Sequence, residues 1–121
     1  MSPEKRCILV VEDDADSFDW VRRRLAQYGY EVEWASTVGD GLAKLSLGPR
    51  GVILDLAMPD GSGADIIRAI RDRGLPIKVA VVSGADGIAM HAEAALLKPD
   101  AFFRKPVDAV ELMSWIKSAC P

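Results

Sequence analysis

Glu12, Asp13 and Asp14 follow directly on the apolar run Cys7-Ile8-Leu9-Val10-Val11, and Asp55 ends a second run, Gly51-Val52-Ile53-Leu54. A third run, Ile77-Lys78-Val79-Ala80-Val81-Val82, ends on Ser83, and a fourth, Ala101-Phe102-Phe103-Arg104, ends on Lys105-Pro106. If these runs lie side by side, their ends bring carboxylates, a hydroxyl and an ammonium to one edge. Carboxylate oxygens suit a hard divalent cation. A hydroxyl and an ammonium can donate to phosphoryl oxygens. The chemistry suggested is that of a cation held beside a phosphoryl group.

Positioning such groups requires parallel strands. Short apolar runs alternating with helix-like segments read as strands buried on both faces, and ligands of such sheets sit beyond the carboxyl ends of the strands. The first run predicts a strand over Cys7 to Val11. Phe18, Val21, Leu25 and Tyr28 then recur at helical spacing and predict a helix from about Ala15 to Tyr28. Asp14 or Asp16 is expected to cap its start, and Gly29 to end it in a left-handed conformation. Glu31 to Ala35 alternates, with Val32 and Trp34 on one face and the glutamates on the other, as in an edge strand.

A second helix is expected from Val38 to Leu47, stopped by Gly48-Pro49, and a third strand over Gly51 to Leu54. Leu56 to Gly63 is rich in turn formers. Helices over about Ala64 to Arg73, Gly87 to Leu97 and Val107 to Ala119 alternate with strands over Ile77 to Val82 and Ala101 to Arg104. The last helix carries Val107, Val110, Leu112, Met113 and Ile116. The count is five strand–helix units. Right-handed crossovers then give an open, doubly wound parallel sheet with helices on both faces, an α/β fold.

With 121 residues, half of them hydrophobic, the chain is expected to form one domain over 1–121 with a real core. A formal net charge of −3 gives no basic footprint for nucleic acid. The single basic run, Arg22 to Arg24, reads as a solvated helix face. No apolar stretch approaches the length of a membrane span, and the N-terminus is not a signal peptide. Two cysteines at opposite ends, Cys7 and Cys120, suggest neither a disulfide framework nor a zinc site. Cys7 reads as a small hydrophobe in a buried strand, and a cytoplasmic setting fits best.

The four blocks Leu9-Val10-Val11-Glu12-Asp13-Asp14, Leu54-Asp55-Leu56-Ala57-Met58-Pro59 with Gly63, Val82-Ser83-Gly84 and Phe102-Phe103-Arg104-Lys105-Pro106 resemble, in order and spacing, the receiver domain of two-component response regulators. The resemblance covers essentially the whole chain. It implies a flavodoxin-like sheet of order 2-1-3-4-5. It implies that Asp55 is the phosphoacceptor, forming an aspartyl phosphate. Asp13, Asp55 and the backbone carbonyl of Ala57 would hold Mg²⁺, with Mn²⁺ as the alternative ion, and Glu12 would act through a bound water. Neighbouring carboxylates raise each other's pKa unless a cation is present, so little phosphorylation is expected without metal.

By the same resemblance Lys105 pairs first with Asp55 and then with a phosphoryl oxygen, Ser83 donates its hydroxyl to that group, and the Lys105–Pro106 bond is cis. Phe102 stands where a switch aromatic belongs; the alternative is a plain core aromatic. Ala57 and Ala85 occupy places where family side chains orient or block the hydrolytic water. His91, the single histidine, reads as a surface residue. The implied partners are a histidine kinase or histidine phosphotransfer protein, and a downstream protein target or a homodimer met by a surface of helix four, strand five and helix five. No direct contact with nucleic acid or membrane is expected. The chain is expected to be a signalling switch rather than an enzyme, with no output domain in its 121 residues. A phosphatase of haloacid-dehalogenase type is the enzymatic alternative, but it needs a second aspartate where Ala57 stands. A flavodoxin-like ligand module would rest on Gly61-Ser62-Gly63 alone, which is no complete phosphate loop.

Overall fold

Five short parallel strands line up so that their carboxyl ends meet one edge of the sheet. The computed structural model describes residues 6–84 and 88–121. The strands are β1 (Cys7–Val11), β2 (Glu31–Ala35), β3 (Gly51–Asp55), β4 (Lys78–Ser83) and β5 (Ala101–Arg104). Their spatial order is β2-β1-β3-β4-β5, as expected for the flavodoxin-like topology. Between them run α1 (Ala15–Gln27), α2 (Val38–Lys44), α3 (Ala64–Asp72) and α4 (Ile88–Leu96), and α5 (Ala109–Ala119) follows β5.

Successive side chains of a strand point to opposite faces, and two cores result. Leu9, Val11, Val52, Leu54, Val79 and Val81 pack against Val38 of α2, Ile66, Ile67 and Ile70 of α3 and Ala94 of α4. Ile8, Val10, Ile53, Ala80 and Val82 pack against Leu25 of α1 and Leu112, Met113 and Ile116 of α5. The three central strands therefore carry apolar residues without alternation. β2, at an edge, exposes Glu31 and Glu33 and half-buries Val32 and Trp34.

Several boundaries and faces differ from the sequence reading. The helix expected to reach Leu47 ends at Lys44 and tightens into a 3₁₀ turn over Leu45–Leu47 before the left-handed Gly48. The segment after Asp55 is not wholly irregular: Ala57–Met58 and Gly61–Ser62 form a small antiparallel ribbon. α5 starts at Ala109, two residues later than expected, because Asp108 takes the N-cap and accepts from the Val110 and Glu111 amides. On that helix Val110 is 78% exposed, while Leu112, Met113 and Ile116 are buried. Tyr28 is also outside the core; it caps α1, and the Lys117 ammonium lies 3.6 Å from its ring centroid. Cys7 is half-buried, so its strand is less covered there than expected. Asp14, rather than Asp16, caps α1 by accepting from the Ser17 amide. Gly87, the expected start of α4, lies outside the described residues.

Candidate functional site

Strand register sets the site. Val11 is level with Leu54 and with Ala35, Asp55 with Val82, and Ser83 with Arg104. Glu12 and Asp13 are therefore the first residues beyond β1, Asp55 ends β3, Ser83 ends β4 and Lys105 is the first residue beyond β5. The Lys105 amide donates to the Ser83 carbonyl at 2.9 Å, which carries the β4–β5 pairing one step further.

Three carboxylates converge there. Glu12, Asp13 and Asp55 each offer an oxygen within 4.8 Å of the others. Glu12 and Asp55 are only 7% and 8% exposed, whereas Asp13 faces solvent. Lys105 Nζ donates to Asp55 Oδ2 at 2.7 Å and lies 3.6 Å from Glu12 Oε1. The other Asp55 oxygen, Oδ1, accepts from the Ala57 amide at 3.1 Å. The Lys105–Pro106 bond is cis. A cleft of about 490 Å³ adjoins the group, walled by Val10, Trp20, Ile53, Val82 and Leu112.

This environment acts unequally on the charges. Burial pushes the Glu12 carboxyl up to about 7; Lys105 opposes the rise, while Asp55 and Asp13 add to it. Burial alone would lower the Lys105 pKa. Its hydrogen bond to Asp55 and the charges of Asp55 and Glu12 outweigh that and raise it. One ammonium thus faces more than one carboxylate, which leaves excess negative potential at the edge.

The loop after Asp55 is built to lie close under it. A Cβ at Gly63 would sit 2.3 Å from the Asp55 carbonyl oxygen and 2.8 Å from Leu54 Cδ1. Only glycine permits that approach. At the far end of the loop, Asp60 accepts from the amides of Val38 at 2.8 Å and Gly39 at 3.0 Å, the first turn of α2. Those bonds hold its carboxyl below the ordinary aspartate range.

The family profile of the response regulator receiver domain matches residues 8–117. The chain belongs to the response regulator receiver family. A curated relative is the acid tolerance regulatory protein ActR of Rhizobium meliloti (strain 1021), 33% identical over 115 residues, 94% of this chain and 59% of that protein. The receiver thus spans under two thirds of the length of the ActR proteins it matches. Among solved structures, the signal receiver domain of a response regulator from Bermanella marisrubri is 33% identical, with a TM-score of 0.86 over 98% of this chain and 100% of that one. A CheY-like receiver domain protein from Methanospirillum hungatei JF-1 is 31% identical, with a TM-score of 0.85 over 95% and 93%. Membership of this family supports phosphoacceptor signalling.

Receiver domains bind Mg²⁺ in an acidic pocket, and the residues here fit that ion. The donor set is all oxygen, and two of its three carboxylates are nearly buried with one ammonium between them. Ser83 sits on the same edge, 4% exposed, with its hydroxyl 3.5 Å from the Gly84 carbonyl. Phe102 is 43% exposed on β5 and is therefore not a core aromatic. Ala57 is exposed. Ala85 and the side chain of His91 lie outside the described residues. No helix among the described residues is long and apolar enough to cross a membrane.

Two residues near the site escaped the sequence reading. By its sequence context Asp60 reads as a turn former. Trp34 reads as one face of an edge strand, although a half-buried indole N–H needs an acceptor, and that need is the available signal.

Proposed function

We propose that Asp55 is the phosphoacceptor of this receiver and takes its phosphoryl group from a phosphohistidine of a histidine kinase or histidine phosphotransfer protein. An Asp55 carboxylate oxygen attacks phosphorus, the P–N bond to the donor imidazole breaks, and the imidazole nitrogen leaves with the electron pair. The observation that carries this reading is the 2.7 Å contact of Lys105 Nζ with Asp55 beside two further carboxylates. Asp13, Asp55 and the Ala57 carbonyl would hold Mg²⁺, with Glu12 reaching it through water. Bound there, the cation would offset the charge of the incoming phosphoryl group.

Lys105 pairs with Asp55 at rest and afterwards donates to a phosphoryl oxygen; a flexible ammonium suits that exchange. Ser83 donates its hydroxyl to the same group. Its movement is passed to β5, where Phe102, lacking a hydroxyl, responds through packing. The surface of α4, β5 and α5 then changes affinity for a downstream protein or a second copy of the chain.

The test is mass spectrometry after incubation with acetyl phosphate and Mg²⁺. A single phosphoryl adduct on Asp55 is expected, absent from Asp55→Ala and absent when the metal is chelated. An adduct that survives either change rules the proposal out.

A further inference from the structure

β1 ends at Val11, so the two acidic residues that follow it lie outside the sheet's ladder. Strand β2 nevertheless holds them. The Glu12 amide donates to the Ala35 carbonyl at 2.9 Å. The Glu12 carbonyl accepts from Trp34 Nε1 at 2.7 Å. That carbonyl belongs to the peptide joining Glu12 to Asp13. Its plane governs how the two side chains diverge, because fixing it fixes the backbone torsions on either side.

Trp34 is itself held on two sides. Its ring stacks on Phe18 of α1, with centroids 4.6 Å apart and planes 8° from parallel. Its own carbonyl accepts from Lys44 Nζ, and Lys44 pairs with Asp40 at 3.2 Å. The indole N–H is therefore a fixed donor aimed at the acidic turn from a neighbouring strand.

We propose that Trp34 is a positioning residue for the cation site: its indole N–H holds the Glu12–Asp13 peptide in the orientation that brings both carboxylates toward Asp55. The proposal deepens the function proposed above and rests on the reading that this acidic cluster binds Mg²⁺. Partners behind metal ligands commonly set ligand orientation and affinity. A tryptophan needed only for packing would act through its ring. One needed for positioning acts through its N–H, and Trp34→Phe separates the two by keeping an aromatic stack on Phe18 while removing the donor.

The experiment is calorimetric Mg²⁺ titration of the wild-type chain and Trp34→Phe, with thermal unfolding of both in chelator. The expected result is Mg²⁺ affinity weakened about tenfold or more, with an unfolding midpoint close to wild type. Equal affinities overturn the proposal and leave the Asp55 reading intact. A wild-type chain that binds no Mg²⁺ overturns both. Should Trp34→Phe not fold, ¹⁵N spectra of the wild type decide. The Trp34 indole N–H, assigned through its contact with the Phe18 ring, should shift as Mg²⁺ saturates while that of Trp115 stays in place. An unmoved Trp34 signal overturns the proposal.

Discussion

At the scale of single residues, the site's electrostatics give a pH signature. Glu12 is raised to about 7 by burial, against an ordinary glutamate in the unfolded chain. Between those two values the folded protein binds a proton that the unfolded chain has released. Stability of the metal-free protein should therefore rise as pH falls from about 7 toward about 5. The depressed carboxyls of Asp14, Asp19 and Asp60 act in the opposite sense and at lower pH, because their contribution is lost only as pH falls through their own folded values. Thermal melts in chelator across this range check the slope, and Glu12→Gln should flatten it; an equal slope in that variant assigns the effect elsewhere. A second residue-scale expectation concerns Ala57, exposed and two positions past Asp55. Alanine can neither orient nor block a water at the acyl phosphate. Ala57→Asn would place an amide there and should speed loss of the phosphoryl group on the order of severalfold, read by the decay of the Asp55 adduct. An unchanged rate removes this position from the hydrolytic step.

At the scale of elements, the β3–α3 loop is the part least tolerant of change. Gly63 lies so close beneath Asp55 that an added methyl must displace backbone rather than a pliable side chain. Gly63→Ala should cost about 2 kcal/mol in urea unfolding and lower the yield of Asp55 adduct at the same time. Loss of stability with full labelling would mean that the loop shifts without moving the acceptor. The strands and the acidic residues at their ends were legible in the sequence because burial on both faces leaves unbroken apolar runs, whose last residue marks the edge. What escaped lies in contacts between segments. Helical spacing puts Tyr28 on the apolar stripe of α1, but it cannot tell where a helix end leaves the core. The bonds from Trp34 to Glu12 and from Asp60 to α2 each join residues 22 or 21 positions apart. No local pattern encodes such a pairing. Phe102 could be located on β5 but not on a face, since the strand holds only four residues with two adjacent phenylalanines.

At the scale of the whole molecule, the proposed function requires that a charge change at Asp55 reach a partner. An aspartyl phosphate carries about −2 where the carboxylate carried −1. It can shift a surface only if it binds one arrangement of that surface better than another. Lys105 and Ser83 are adjacent across β4 and β5, joined by the Lys105 amide, so a pull on either is felt by the strand that bears Phe102. Among the described residues, α4 buries Ala94 in the core it shares with α3, while its ion pair to that helix lies at the surface: Arg68 pairs with Glu93 at 3.0 Å, both side chains 45% exposed. Exposed pairs of this kind contribute little, so that surface tie does not by itself fix the position of α4. Beryllium trifluoride with Mg²⁺, as a stable mimic of the phosphoryl group, should therefore change amide hydrogen exchange in α4, β5 and α5 while β1 and β3 remain protected. The same addition should alter self-association in sedimentation if a second copy is the partner. Exchange that stays the same in all three elements, with the mimic bound at Asp55, would mean that the message leaves the molecule by another face.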